Sequence, residues 1–303
     1  MEILTSITKA MINDKNQTQK AGDNSTNYQA QVINVQEGLT YRDVKEICLD
    51  LIRDQFDSFR EDAKRVVIER AERLVDSFIS KVSEIDPELL VSVKDPSMLL
   101  ALQSAQKSYI RAGDRDVADL LVDILTERAA QNERNLKQII LDESLEIIPK
   151  LTVEQFDVLS LIFLVNNLNS QNSDGFYISS LMELILFFEN QIYPLAENLT
   201  KEPSFYEHLQ YCNCVYGLSG ERTLISEEFN QLENVLFEKF KNHFDPDSTP
   251  YDIRKFLSPV GDFSIGKLFD AWNNSLLIEL TLTPVGKTIA KANIKRKIGV
   301  SYN

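Results

Sequence analysis

The chain has 303 residues, of which 43 % are apolar and 26 % are charged, the balance of a globular protein able to bury a core. Its formal net charge of −14 argues against wholesale binding to nucleic acid or to an anionic membrane, because like charges repel at long range. Only ten glycines and nine prolines interrupt it, and the strongest long patterns are helical. We therefore predict a mostly α, multi-helix protein.

Residues 1–39 predict a β-prone arm rather than part of the core. They are rich in Asn, Gln, Ser and Thr, and residues 24–36 contain no charged residue, glycine or proline. Such a run can pair as a strand with another backbone, on a neighbouring copy or on a partner. A flexible arm that docks a strand on its own chain or on a neighbouring subunit is the alternative. The contact residues we predict are Tyr28, Gln29, Val32, Ile33 and Val35.

A long helix is predicted to begin at Thr40, with Asp43 placed to complete a capping box. Its apolar stripe continues to about Ile85 and allows one break along the way. Unbroken, about 45 residues would form a rod of roughly 65 Å. A rod of that length needs a partner along it, from this chain or from another copy, and we expect it to form the interface of a homo-oligomer.

Further helices are predicted after Pro96, after Gly113, and over several segments up to residue 242. The polar break between Asn167 and Gly175 suggests a soft boundary. The expected organisation is an arm at 1–39, a helical domain with the long helix at 40–170, and a second helical domain at 171–303 that ends in a small strand-helix unit.

The last element predicts a strand, "SLLIELTLT", followed by a helix that begins at Pro284. Leu282, Thr283, Gly286, Ile289 and Ala290 follow a pattern that resembles the exit from strand to helix in bacterial winged-helix domains. In the helix, the candidate contacts to nucleic acid are Lys287, Lys291, Lys295, Arg296 and Lys297. A structural cap with solvated lysines is the alternative interpretation.

Asp116, Asp119 and Asp123 share one face of a predicted helix, an arrangement that can hold a divalent ion or perform acid/base chemistry. A solvated face with internal ion pairs is the more common outcome of this spacing. His208, Cys212 and Cys214 lack the further ligands of a zinc site, and we expect the two cysteines to pack in the core. No glycine-rich phosphate loop occurs, so no catalytic residue, metal or cofactor is predicted.

Three cysteines are too few for a disulfide framework and fit a reducing compartment. The first residues show neither a basic region nor an unbroken apolar run, so no signal peptide is expected. The apolar windows "LSLIFLV" and "ISSLMELILFF" are predicted as buried helix rather than membrane spans. A cytoplasmic location is the resulting expectation.

Four segments carry a resemblance to a known family: "AGDNSTNYQAQ", "AQKSYIRAGDRDVADLLVDILTERA", "LKQIILDESLEIIPKLTVEQFDVLSLIFL" and "LTPVGKTIAKANIKRK". Together they resemble a family of uncharacterised bacterial proteins of about this length. The opening G-D-N-S-T-x-x-Q-A element is similar to that of other bacterial proteins associated with phage-defence neighbourhoods. The resemblance brings no assigned catalytic residues to this chain.

These patterns lead to one functional prediction and two rivals. The leading hypothesis is a non-catalytic interaction or oligomerisation protein of a bacterial cytosolic system, with an association to phage defence. The first rival is a nucleic-acid-binding regulator that uses the basic C-terminal helix. The second rival is a metal-dependent hydrolase on the acidic helix at Asp116, Asp119 and Asp123.

Overall fold

A computed structural model describes residues 40–53, 55–56, 60–167, 180–197, 199–217, 232–257 and 265–302. The five residues predicted for the arm contact, at positions 28, 29, 32, 33 and 35, lie outside these ranges. Residues Leu39–Asn303 form one unit of contacts, whose described part is almost entirely helical.

Thirteen α-helices lie in the described ranges, and the mostly α prediction is confirmed. The first six are α1 (Tyr41–Arg53), α2 (Glu61–Ile85), α3 (Pro96–Ala112), α4 (Arg115–Ala129), α5 (Leu136–Ile147) and α6 (Val153–Asn167). The others are α7 (Leu181–Phe187), α8 (Tyr193–Ala196), α9 (Pro203–Tyr211), α10 (Leu232–Phe240), α11 (Pro250–Leu257), α12 (Ile265–Asn273) and α13 (Pro284–Ile298). A π-helical turn, Phe188–Ile192, connects α7 to α8, and short 3-10 helices lie at Pro87–Lys94, Ile148–Lys150, Lys241–His243 and Leu276–Glu279.

The long helix expected over residues 40–85 has the one break that its sequence allowed, between α1 and α2. The capping box is formed: the Thr40 amide donates to Asp43 Oδ2 at 2.9 Å, and the Asp43 amide donates to Thr40 Oγ1 at 3.2 Å. The Tyr41 hydroxyl and Lys45 Nζ, at the start of α1, reach Asp76 on α2 at 2.6 and 2.8 Å. The two helices thus lie side by side, and a 65 Å rod does not form.

The apolar stripe of this helical pair faces the chain's own core. Val44, Leu74 and Phe78 are fully buried in the main hydrophobic cluster, which also includes residues of α3 and α4. In its described part the stripe is therefore covered within one chain, and it gives no reason of its own to expect a second copy.

Helix α6 is the centre of the fold, because its residues from Gln155 to Val165 are buried on all sides. Helix α13 packs against α6, α5 and α4, and its Ile289 and Ile294 are fully buried. The main cluster extends from Val44 to Ile294. The C-terminal helix thus packs against helices that precede the boundary expected near residue 170. The polar break at 168–179 lies outside the described ranges.

The window "LSLIFLV" lies within α6 and is buried helix, as predicted. Fifteen residues of helix span about 22 Å, less than the roughly 30 Å of a bilayer core. Within the described ranges, no helix is both long enough and apolar enough to cross a membrane.

The β structure of the described residues is a single antiparallel pair, β1 (Val215–Tyr216) with β2 (Thr281–Leu282). Within the predicted strand "SLLIELTLT", only Thr281–Leu282 pairs as a strand, and Leu276–Glu279 is a 3-10 helix capped by the Ser275 hydroxyl. Because β1 comes from a distant part of the chain and each strand has two residues, the pair is not the hairpin that a wing requires.

Candidate functional site

The acidic helix and the basic helix, which the sequence offered as two separate sites, contact each other. Lys295 Nζ lies 3.1 Å from Asp123 Oδ1, and Arg296 is paired with Asp116. Lys81 on α2 is a second partner of Asp123. The charged residues that suggested two rival functions therefore form ion pairs with each other, and these pairs connect α4 to α13.

The third basic residue of this group, Lys297, lies 2.6 Å from Asp157 Oδ2 on α6. The buried Asn293 joins the same cluster: its amide donates to Asp157 Oδ1 at 3.1 Å and to Ser160 Oγ at 3.0 Å. Its oxygen accepts from Arg296 Nη2 at 2.7 Å. We call this set, together with the pairs of Asp116 and Asp123, the α13 ion network.

Two carboxyl groups on α4 and α6 are electrostatically perturbed by their position. Burial raises the pKa of Asp157, and the hydrogen bonds from Lys297 and Asn293 partly oppose this rise. Burial also raises the pKa of Asp119, against the positive charges of Arg115 and Arg296. Both shifts have a structural cause in the packing of the helices, and neither needs a ligand to explain it.

The remaining two candidate cations lie higher on α13 and are partly buried. Lys291 Nζ is 5.5 Å from the centroid of the Phe163 ring. Lys287, four residues earlier on the helix, is half-buried. The five basic residues therefore do not form one free surface for phosphate. In the described ranges, no three His, Cys, Asp or Glu side chains are placed to hold a metal ion.

The "LTPVG" element is explained by close packing. Thr283 caps α13 by accepting from the Gly286 amide at 3.1 Å, and its hydroxyl donates to the Asn213 carbonyl at 2.7 Å. A Cβ atom on Gly286 would overlap the carbonyl oxygen of Cys214. Pro284 takes the first helical position, where its missing N–H costs nothing. The pattern thus joins α13 to β1 and serves the fold.

His208, Cys212 and Cys214 are also accounted for by packing. The His208 ring hydrogen-bonds to Gln155 at 3.0 Å through Nδ1 and faces Cys212 Sγ at 3.6 Å through Nε2. Both thiols are buried, as predicted. Burial raises the pKa of Cys212, and it raises that of Cys214 to about 12. The thiols stay protonated at neutral pH and are poor nucleophiles and metal ligands.

A cleft of about 700 Å³ lies among the 3-10 helix Pro87–Lys94 and helices α3, α4 and α5. Its floor is Arg128, whose side chain is 2 % exposed. Arg128 Nε donates to Asp142 Oδ1 at 2.6 Å, and Nη2 donates to Ser97 Oγ at 2.9 Å. The Gln138 amide, with its oxygen toward the guanidinium, accepts from both terminal nitrogens at 2.5 and 2.9 Å.

The local sequence explains how this floor is built. Asp95 caps α3, where its carboxylate accepts from the Ser97 and Met98 amides at 2.8 and 3.3 Å, with Pro96 as the first helical residue. The Ser97 hydroxyl donates to the same carboxylate and accepts from Arg128. A helix cap and a buried cation thus share one hydrogen-bond chain, which fixes the shape of the cleft.

The walls of the cleft combine apolar and charged groups. Met98 and Ile139 line it, and Leu136, one turn before Ile139 on α5, is 72 % exposed. Its charged lining residues are four carboxylates and two guanidinium groups: Asp95, Asp142, Glu143, Glu146, Arg128 and Arg134. This is a concave surface that can bind a partner of mixed polarity.

Sequence reasoning missed this cleft, although one signal was present. Arg128 and Arg134 lie at the two ends of a loop that follows a strongly apolar helix. Asp142 lies on the next helix, so no regular helical spacing places it next to Arg128. An arginine at the end of an amphipathic helix usually points to solvent. Here it is the largest fully buried side chain among the described residues.

The fold and the site describe an α-helical protein with an internally paired charge network and a cleft above the buried Arg128. A family model matches residues 38–259 and 229–303, so the chain belongs to this family of uncharacterised proteins. Neither the curated proteins nor the solved structures include a significant match. The expectation of an uncharacterised family over most of the chain is confirmed, whereas the matches confirm neither the motifs quoted for the resemblance nor the phage-defence association.

Proposed function

We propose that this protein acts by binding a protein partner, non-catalytically, and that the cleft above Arg128 is a contact surface. The observation that carries the proposal is the apolar strip of Leu136 and Ile139, which are 72 % and 42 % exposed beside a concave surface. Large apolar groups next to a polar-rimmed depression are typical of interaction sites.

The energetic argument concerns the first turn of α5. Ile139 lines the cleft and Leu136 continues its face, so a partner that covers both would remove apolar surface from water. Such burial contributes about 25 cal/mol per Å². The floor needs no rearrangement, because the hydrogen bonds of Arg128 already hold it in place, and a preorganised site binds at lower entropic cost.

Site-specific photocrosslinking in cells tests the proposal. The crosslinking amino acid p-benzoylphenylalanine replaces Ile139 in the full chain, and, as a matched control, it replaces the exposed Val66 of α2. We expect a discrete adduct from position 139 and none of that mass from position 66, with the partner identified by mass spectrometry. Identical adduct patterns from the two positions would contradict a specific contact at the cleft.

The mass of the adduct also separates the two forms of the hypothesis. An adduct of twice the chain mass would indicate self-association, and any other mass would indicate a different protein. The arm contact through residues 28–35 remains a separate prediction. It is tested by light scattering of the full chain against a chain that begins at Gly38, and equal masses would reject arm-mediated assembly.

The cytoplasmic location and the association with phage defence belong to the same proposal. The three free cysteines support the location, and the resemblance of the N-terminal element supports the defence association. Survival of phage infection by cells with and without the gene is the direct measurement for the defence association, and equal plaque counts would reject it.

A further inference from the structure

We infer that the partner segment bound in the cleft is basic. The inference rests on the proposed function, since it assumes a contact at the cleft, and it adds the chemistry of the occupant. The observations that carry it are two carboxylates on the α5 wall, Glu143 and Glu146, and their electrostatic surroundings.

Neither Glu143 nor Glu146 has an ion pair or a hydrogen-bond partner for its side chain within the described ranges, and both are exposed. The other carboxylates of the cleft are occupied: Asp95 caps α3, and Asp142 holds Arg128. The negative charge that remains for a ligand is therefore concentrated on this part of the α5 wall.

The position of these two charges on their helix is unfavourable for folding. They lie toward the C-terminal end of α5, which ends at Ile147 and continues directly into the 3-10 helix Ile148–Lys150, where Lys150 is the one basic residue. The helix dipole places partial negative charge at this end, so carboxylates there are repelled and cations are preferred. Side chains that break a local preference without a compensating contact in the fold are typical of functional surfaces.

The apolar face of the same helix gives the partner its second property. Ile139 lies one turn before Glu143, and Leu136 lies about one turn before Ile139. A segment that carries Lys or Arg side chains about one or two helical turns from an apolar anchor would match both features. Arg134, at the opposite end of the wall, disfavours a second cation there and so sets the direction of the segment.

Fluorescence anisotropy with a defined probe tests the inference. The probe is a labelled 15-residue peptide with an apolar Leu face and Lys on the other positions, and its matched control replaces every Lys with Glu. Exposed rim charges contribute modestly, so the variant Glu143→Gln/Glu146→Gln should weaken binding of the Lys peptide about tenfold at low salt, an effect that shrinks as salt rises.

The control variant is Glu46→Gln/Glu84→Gln, which removes two charges from exposed positions of α1 and α2 and leaves the cleft intact. Binding of the Lys peptide to this variant should change by less than twofold. Equal weakening by the two double variants, or equal affinity of the wild-type protein for the Lys and Glu peptides, would overturn the inference.

A third variant separates this inference from the proposed function. Ile139→Ser should weaken binding of the Lys peptide without changing the salt dependence of that binding. If photocrosslinking at position 139 succeeds while both peptides bind equally, the cleft is a contact site for a partner that is not basic. If no crosslink forms but the peptide discrimination holds, the chemistry of the cleft stands and the proposed cellular contact fails.

Discussion

The ion pair at the floor of the cleft predicts an asymmetric response to mutation. Arg128 is 2 % exposed, whereas its partner Asp142 is 42 % exposed. Removal of Asp142 leaves a buried cation without its carboxylate, and removal of Arg128 leaves a carboxylate that water can reach. The two single variants of one pair should therefore differ in their free energy of unfolding.

The magnitudes follow from the contacts. Asp142→Ala leaves the buried cation unpaired, and removal of one partner from a fully buried pair costs about 3–5 kcal/mol. We expect about 3 kcal/mol, because Asp95 lies near the guanidinium through Ser97. Arg128→Met loses the ionic hydrogen bond to Asp142, worth about 1.5–3 kcal/mol, and the bonds from the guanidinium to the uncharged Ser97 and Gln138. Met fills most of the space and regains about 1.5 kcal/mol by apolar burial, so we expect a net loss of about 1–2 kcal/mol.

Urea denaturation followed by circular dichroism measures both variants. The control pair is Asp50–Arg53 on α1, whose side chains are 63 % and 50 % exposed, and alanine at either position should cost under about 0.5 kcal/mol. The reasoning would be refuted if Arg128→Met cost as much as Asp142→Ala, since burial of the cation would then not determine the energy of the pair.

Three further predictions concern the packing of α13. Gly286→Ala should lower the free energy of unfolding by about 2 kcal/mol, because overlap with the Cys214 carbonyl outweighs the better helix propensity of alanine; an unchanged melting temperature would contradict this. Asp123→Ala should cost only about 1–2 kcal/mol in urea denaturation, because both of its lysine partners are partly exposed, and a loss as large as that of Asp142→Ala would contradict this. Burial raises the pKa of Asp157 in the folded state, so its stabilising contribution is present below the unfolded value of about 3.9 and is lost as pH rises through the folded value. The free energy of unfolding of the wild-type protein minus that of Asp157→Asn should therefore be smaller at pH 7 than at pH 3.5. A larger difference at pH 7 would show that the ion pair with Lys297 outweighs the cost of burial.

The parts of the fold that could be predicted are those set by neighbours in sequence. The Thr40 capping box, the Asp95 cap with Pro96 and the start of α13 at Pro284 depend on side chains within three residues of the backbone groups they satisfy. Helix signals of this kind are readable from the chain because each is complete in a few residues.

The parts that could not be predicted depend on contacts between distant segments. Residues 276–278 are apolar and could belong to a strand or to a buried 3-10 helix, and the choice follows from packing rather than from their own pattern. The partner of β2 is Val215–Tyr216, and the sequence of neither segment indicates that the two pair. The burial of Arg128 was hidden for the same reason, since Ser97, Gln138 and Asp142 lie on other helices.

The α13 ion network changes how the charge of this protein is interpreted. Along the chain, an acidic face on α4 and a basic C-terminal helix suggested one surface for metal and another for nucleic acid. In the fold, each of Lys295, Arg296 and Lys297 meets a carboxylate, so their positive charges are compensated locally and add little to the external field. The net charge of −14 is therefore carried by carboxylates elsewhere, and Glu143 and Glu146 are two of them beside a concave apolar surface. Long-range attraction by such a field favours a basic partner over phosphate, because it speeds the encounter with cations and slows the approach of anions.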